Sequence, residues 1–267
     1  MNISSLMNLC KEGPVKRQPL NELILECLDS VARREDDTLQ KKFLKELIQK
    51  YVFLEKRVDT LLKNTLPEKV AEEMKYEGAF TPRQFHCTIL FSDFVDFTRL
   101  AETIHPERLI TILDSLFKGF DTIVAGFRGT KVKTIGDSYM AVFGAPEPYE
   151  GHAVKAVEAG LEMQNFVREF NSGNGLSFGM RVGIHTGHVI AGVVGKDRMQ
   201  FDVFGDSVNI ASRYESAGER DRVNVSYETY RGCGDCFTFE ERGSISLKNK
   251  GKMKAYFAVG RNDNNHG

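Results

Sequence analysis

Ile89-Leu90-Phe91-Ser92-Asp93-Phe94 and Val132-Lys133-Thr134-Ile135-Gly136-Asp137 are two apolar runs that each stop at a carboxylate. The first leads into Val95-Asp96-Phe97-Thr98, a turn and helix start. The second reaches a Gly-Asp turn before Ser138-Tyr139-Met140-Ala141-Val142-Phe143. If the two runs are neighbouring strands, Asp93 and Asp137 meet at one edge of one sheet. Converging carboxylates repel unless a positive charge lies between them. Hard divalent cations such as Mg²⁺ take oxygen ligands and keep positions open for substrate phosphates. Paired ions also serve in-line displacement at phosphorus. This feature points to phosphoryl or nucleotidyl chemistry.

The rest of the chain sets bounds. Its 267 residues, 41% hydrophobic, allow one large domain or one domain with an extension. A formal net charge of −1 supplies no global basic field for nucleic acid. Apolar runs fall short of the roughly 20 residues of a membrane span. Met-Asn-Ile-Ser-Ser lacks the pattern of a signal peptide. Five cysteines form no dense framework, which suggests a reducing compartment. The expectation is a cytoplasmic chain without nucleic acid or membrane span.

Outward from the two runs, short apolar stretches alternate with helical patterns. Strands are expected at 85–92, 129–135, 138–144, 177–184, 188–195, 221–225, 236–248 and 254–260. Helices are expected near 96–103, 106–124, 149–170, 206–217 and 226–231. That order predicts an α+β fold, one sheet covered by helices. Before it, Leu20 to Arg34 has helical spacing. Leu44, Leu47, Tyr51, Leu54, Val58 and Leu61 then form a seam of about two and a half heptads. Flanking Lys, Glu and Arg favour a parallel dimeric coil, and an amphipathic helix packed on its own domain is the alternative. Pro67 is placed to start a further short helix.

Other side chains gain meaning only together. Lys133 lies four residues before Asp137 on the strand, so both are expected to point to the same face. In Gln200 to Arg213, Asp202 is expected to end or interrupt a strand, and Asp206 or Ser207 to cap the following helix. Asn209 and Arg213 stack one turn apart, as an amide and a guanidinium able to bind sugar and phosphate oxygens. Lys248, Lys250, Lys252 and Lys254 alternate along one β-like segment, as a solvated edge or a phosphate contact. His185 and His188 read as structural histidines at a Thr-Gly turn, and Cys233 and Cys236 as an incidental loop pair.

Taken in order, five stretches resemble the class III nucleotidyl cyclases, the adenylyl and guanylyl cyclase catalytic domain. They are Leu90 to Thr98, Val132 to Met140, Arg181 to Gly187, Phe201 to Arg213, and Lys248 to Gly251. The resemblance covers about 84–260 and implies a ferredoxin-like sheet covered by helices. It implies two divalent metal ions, Mg²⁺ or Mn²⁺, on Asp93, Asp137 and the backbone carbonyl of Phe94. Lys133 and Asp202 match the purine-reading pair, Asn209 the ribose-orienting residue, Arg213 the transition-state arginine and Lys248 the terminal-phosphate lysine. Such sites form between two domains. One chain with both sets implies a homodimer with two composite sites. Guanylyl cyclases of this family tend to carry Glu and Cys at the positions of Lys133 and Asp202, so ATP is the expected substrate. A guanylyl cyclase and an inactive nucleotide-binding regulatory subunit are the alternatives. The chain departs from the family at Phe94, Asp96 and Asn249, none of them a catalytic group. The expected layout is a partly helical segment at 1–40, a coiled-coil helix and linker at 41–80, the catalytic domain at 84–260 and a disordered tail at 261–267.

Overall fold

The structure, a computed structural model, describes residues 38–247 and 251–262. The expected helix at 20–34, Lys248 and nearly all of the expected tail lie outside the described residues. By its contacts the chain divides into two compact units, Met1–Leu62 and Lys63–Gly267. The seam runs along helix α1 (Thr38–Thr65). Leu47, Leu54 and Leu61 on it are more than half exposed, and Tyr51 and Val58 are exposed too. Helix α2 (Glu68–Glu77) starts after Pro67 and ends at Gly78 in the left-handed conformation.

The second unit is built on strand β1 (Arg83–Val95). After it come α3 (Phe97–Thr103), α4 (Pro106–Gly126), β2 (Gly129–Ile135), β3 (Ser138–Phe143) and α5 (His152–Asn174). The chain continues through β4 (Gly179–Val194), β5 (Gln200–Phe204), α6 (Asp206–Ser216), β6 (Val223–Ser226) and α7 (Tyr227–Cys233) to the hairpin β7 (Phe237–Leu247) and β8 (Gly251–Arg261). The sheet order is β2-β3-β1-β4-β6-β8-β7, with β5 also paired to β4. Among the described residues only the β4–β6 pairing is parallel. This is the expected α+β sheet covered by helices.

Alternation along β1 sends Leu90 and Phe94 into the main core. There they meet Leu116 and Phe120 of α4, Val157 and Met163 of α5, and Tyr139 and Phe143 of β3. A smaller cluster holds α6 through Ile210 and Tyr214, against Ala255 of β8.

The structure corrects several expectations. The strands expected at 177–184 and 188–195 are one strand, β4, which runs straight through the Thr186-Gly187 step. Gly187 is there for closeness: a Cβ on it would lie 2.4 Å from Ser207 Oγ. Ser207 and Asp206 do not cap α6, whose N-cap is Gly205 without a side-chain cap. Asp202 does not end a strand but sits in the middle of β5, paired with Gly192. The four lysines expected along one segment are divided: Lys248 and Lys250 lie outside the described residues, and the strand that holds the other two begins at Gly251, opposite Leu247. Lys252 and Lys254 therefore lie on β8.

Gly183 on β4 sets how close α6 can come. A Cβ there would lie 1.9 Å from the backbone nitrogen of Glu215 and 2.4 Å from its Cα. Backbone cannot swing aside as a side-chain tip can. Gly183→Ala is expected to lose about 1–3 kcal/mol or more in urea unfolding, by overpacking. Gly126→Ala, whose Cβ would meet nothing within 4 Å, is expected to be near neutral or mildly stabilising in the same assay.

Candidate active site

Register brings the two opening carboxylates together. Ser92 of β1 pairs with Tyr139 of β3, which sets Asp93 beside the β2–β3 turn that carries Asp137. Gly136 makes that turn at φ 63°, a left-handed angle glycine adopts without cost. Asp137 thus belongs to the turn rather than to β2, and the alternation that would align it with Lys133 does not reach it. A register shift between Lys131 and Lys133 alters the strand as well.

Both oxygens of Asp93 are engaged. Ser138 Oγ donates to Oδ1 at 2.6 Å, and Arg181 Nη2 donates to Oδ2 at 3.0 Å. Arg181 is the register partner of Asp93 on β4, and its Nε reaches Glu215 of α6 at 3.0 Å. One guanidinium thus spans two carboxylates, which suits its planar fork of donors. The Glu215 carboxyl is nonetheless raised above its usual range. Burial is the main cause, opposed by Arg181 and reinforced by Asp93. Asp137 is raised too, first by burial, against a backbone hydrogen bond, and then by the charge of Asp93. The donor chemistry fits a hard cation: two carboxylates stand together, and one is raised by burial and then by its neighbour's charge. Phe94 holds the strand end in place, its ring 5.2 Å from both Phe97 and Phe178 and 5.9 Å from Phe120.

A second group forms around β5. Lys133 Nζ donates to Asp202 Oδ2 at 2.5 Å, while Asp202 Oδ1 accepts from the Val203 amide at 2.9 Å. The pair is partly buried, with side-chain exposures of 29% and 11%. Asn209 is exposed on α6, and Arg213 is half-buried one turn later. The structure thus joins Asp93 with the Asp137 turn, and Lys133 with Asp202, and it sets Asn209 and Arg213 on one helix. Lys248 lies outside the described residues.

Reading from sequence assigned no role to Ser138, Arg181 or Glu215. Arg181 stood inside one of the quoted stretches, and a charge opening an apolar strand was the available signal. Its partner Glu215 could not be seen, since 34 residues separate them.

Apolar side chains lie open beside both groups. Ile135 next to the Asp137 turn is 56% exposed, and Ile190 and Phe204, paired across β4 and β5, are 53% and 45% exposed.

Residues 81–260 match the family described as the adenylate and guanylate cyclase catalytic domain. Over 207 residues the chain is 38% identical to the adenylate cyclase of Mycobacterium tuberculosis, covering 77% of this chain and 47% of that protein. It is 38% identical over 224 residues to the human guanylate cyclase soluble subunit beta-2, covering 82% and 36%. The chain spans about half the length, or less, of these curated relatives. Among solved structures, the adenylyl cyclase CyaB from P. aeruginosa superposes with a TM-score of 0.66 at 30% identity, covering 69% of this chain and 98% of that one. The guanylate cyclase domain of RhGC from Catenaria anguillulae, in complex with GTP, gives 0.65 at 32%, covering 67% and 100%.

Because Asp137 is raised, protons compete with cations for it over a wider acidic range than for an ordinary carboxylate near 3.9. Its contribution to stability without cation is full below the unfolded value and lost as pH rises through the folded one. Asp137→Asn is therefore expected to leave the cation-free melting temperature at pH 7 unchanged or higher, while removing its thermal response to Mg²⁺. Calorimetry with and without Mg²⁺ checks both. A fall in the cation-free melting temperature would contradict the assigned cause of the shift.

Proposed function

The chain belongs to the adenylate and guanylate cyclase catalytic domain family, and we propose that its reaction is conversion of ATP to 3′,5′-cyclic AMP and pyrophosphate. The observation that carries the choice of nucleotide is the Lys133–Asp202 pair. An ammonium and a carboxylate side by side form a donor next to an acceptor. Adenine offers the complement on one edge, an acceptor at N1 beside a donor at N6. Guanine presents a donor and an acceptor there, leaving both protein groups mispaired. Buried mispaired polar groups discriminate strongly.

In this reading Asp93, Asp137 and the Phe94 carbonyl hold two divalent cations, Mg²⁺ or Mn²⁺. When bound, these supply Lewis-acid activation of the ribose 3′-hydroxyl and neutralise the triphosphate. To hold a cation Asp93 would have to give up its contacts with Ser138 and Arg181, and Arg181, still held by Glu215 through Nε, would then be available to phosphate oxygens. Asn209 orients the ribose, Arg213 meets charge developing on the α-phosphoryl group and Lys248 meets the terminal phosphates. Residues 84–260 form the catalytic domain.

We place the complete site between two copies of the chain. Ile135 beside one group, and Ile190 with Phe204 beside the other, are open apolar surface that a second copy would cover. The exposed seam of α1 supports a parallel coil joining the same two copies.

The test of nucleotide choice is kcat/KM for ATP and GTP on purified full-length chain. A preference for ATP of roughly 10² or more is expected from two mispaired contacts. Lys133→Glu with Asp202→Cys is expected to weaken that preference, and each single change to lose most activity. Equal use of both nucleotides by the unaltered chain would remove the adenylyl assignment and leave a purine nucleotidyl cyclase.

A further inference from the structure

The sequence sets His188 close to His185, but the fold separates them. His185 is buried, with Nδ1 2.9 Å from Ser226 Oγ and its ring stacked on Tyr214. His188 points to the other face of β4 and lies directly opposite His86 of β1. Their ring centres are 4.9 Å apart. His152, the first residue of α5, brings a third imidazole, 5.4 Å from the ring of His86. All three line one cleft of about 360 Å³, whose wall also includes Glu228.

Tilted imidazoles at this spacing can be mere surface packing. Two observations favour a ligand. The first is distance. Borderline divalent cations such as Zn²⁺ bind imidazole nitrogen at about 2.0–2.1 Å, so two imidazoles on one tetrahedral ion have ring centres about 5 Å apart. The second is the support behind His152. Its Nδ1 lies 2.7 Å from Thr88 Oγ1, which lies 2.8 Å from Thr186 Oγ1, itself 3.0 Å from Thr229 Oγ1. All three threonines are buried. One ring nitrogen is thus fixed by a rigid hydroxyl chain, leaving Nε2 as the nitrogen for a ligand. Metal-binding histidines are held in the same way through their second nitrogen. Burial, and then the neighbouring His86, also keep His152 below the usual histidine range, in the neutral form that binds metal.

We propose that His86 and His188 form a cross-strand clamp for one borderline divalent cation of the Zn²⁺ class, with His152 as the third donor. Among the described residues no three His, Cys, Asp or Glu side chains are already gathered for a metal ion. The clamp therefore starts from the two exposed imidazoles of His86 and His188, whose rotation brings the ion to the fixed ring of His152. Nitrogen donors separate this site from the oxygen donors Asp93 and Asp137, which suit Mg²⁺. An ion here would tie β1, β4 and the start of α5 together.

The experiment uses the full chain, stripped with chelator and held in excess Mg²⁺ to fill the carboxylate end. Zn²⁺ is titrated by calorimetry, and Cu²⁺ is added separately for electron paramagnetic resonance. One Zn²⁺ per chain is expected, with nitrogen hyperfine splitting in the Cu²⁺ spectrum. His86→Ala and His188→Ala should each weaken Zn²⁺ binding about tenfold or more, and His152→Ala by a smaller factor. Both clamp residues are exposed, so an unchanged metal-free melting temperature for the double variant separates lost binding from lost fold. Absence of Zn²⁺ binding in Mg²⁺, equal affinity in the double variant, or a Cu²⁺ spectrum with oxygen donors only would each overturn the proposal.

Discussion

The antiparallel register of β1 on β4 is the constraint from which the rest follows. It runs unbroken from Arg83 opposite Ala191 to Val95 opposite Gly179. Because side chains alternate, a slip of one residue would turn Asp93 onto the face that Leu90 and Phe94 give to the main core. The cost of burying an ionised carboxylate there holds the register, since the opposite face of β1 is itself closed over Cys87, Ile89 and Phe91. The same register sets Asp93 opposite Arg181 and His86 opposite His188. One register thus places a carboxylate cluster at one end of the strand pair and an imidazole cluster toward the other.

At the carboxylate end, charge is balanced provisionally. Arg181 holds Asp93 and Glu215 together, yet Glu215 and Asp137 both stay raised above ordinary carboxylates. One guanidinium does not neutralise three acidic groups. Under the proposed function that deficit is what divalent cations would meet, and Arg181 would be the group that gives up Asp93 to them. The Lys133–Asp202 pair is a second provisional balance. Its two groups face each other at 2.5 Å, and under the proposed function part of that contact would be exchanged for a base edge of complementary pattern.

Much of this was legible because chemistry and strand ends coincide in the sequence. Asp93 at the end of an apolar run and Asp137 in a Gly-Asp turn announce a meeting point once the runs are neighbours. Asn209 and Arg213 need only helical spacing. What failed were contacts whose partner is remote. Gly187 looked like a turn because the atom it makes room for, Ser207 Oγ, belongs to another element. Strand β5 was not given its own span because Gln200 to Phe204 is only five residues long, and Asp202 inside it read as a strand's end or interruption. The bridge from Arg181 to Glu215, and the pairing of His188 with His86 in place of His185, depend on register and are invisible to spacing along the chain.

The central claim is that one site is completed by two chains, with the cation-binding carboxylates from one copy and Arg213 from the other. Mixing Asp137→Ala with Arg213→Ala, each inactive alone, tests it most directly. Under conditions where subunit exchange is verified by labelled chains, some heterodimers carry both lesions in one site and leave the other intact. The account predicts that cyclic nucleotide production returns on mixing, to a fraction of the unaltered level. Exchange without any return of activity would contradict it.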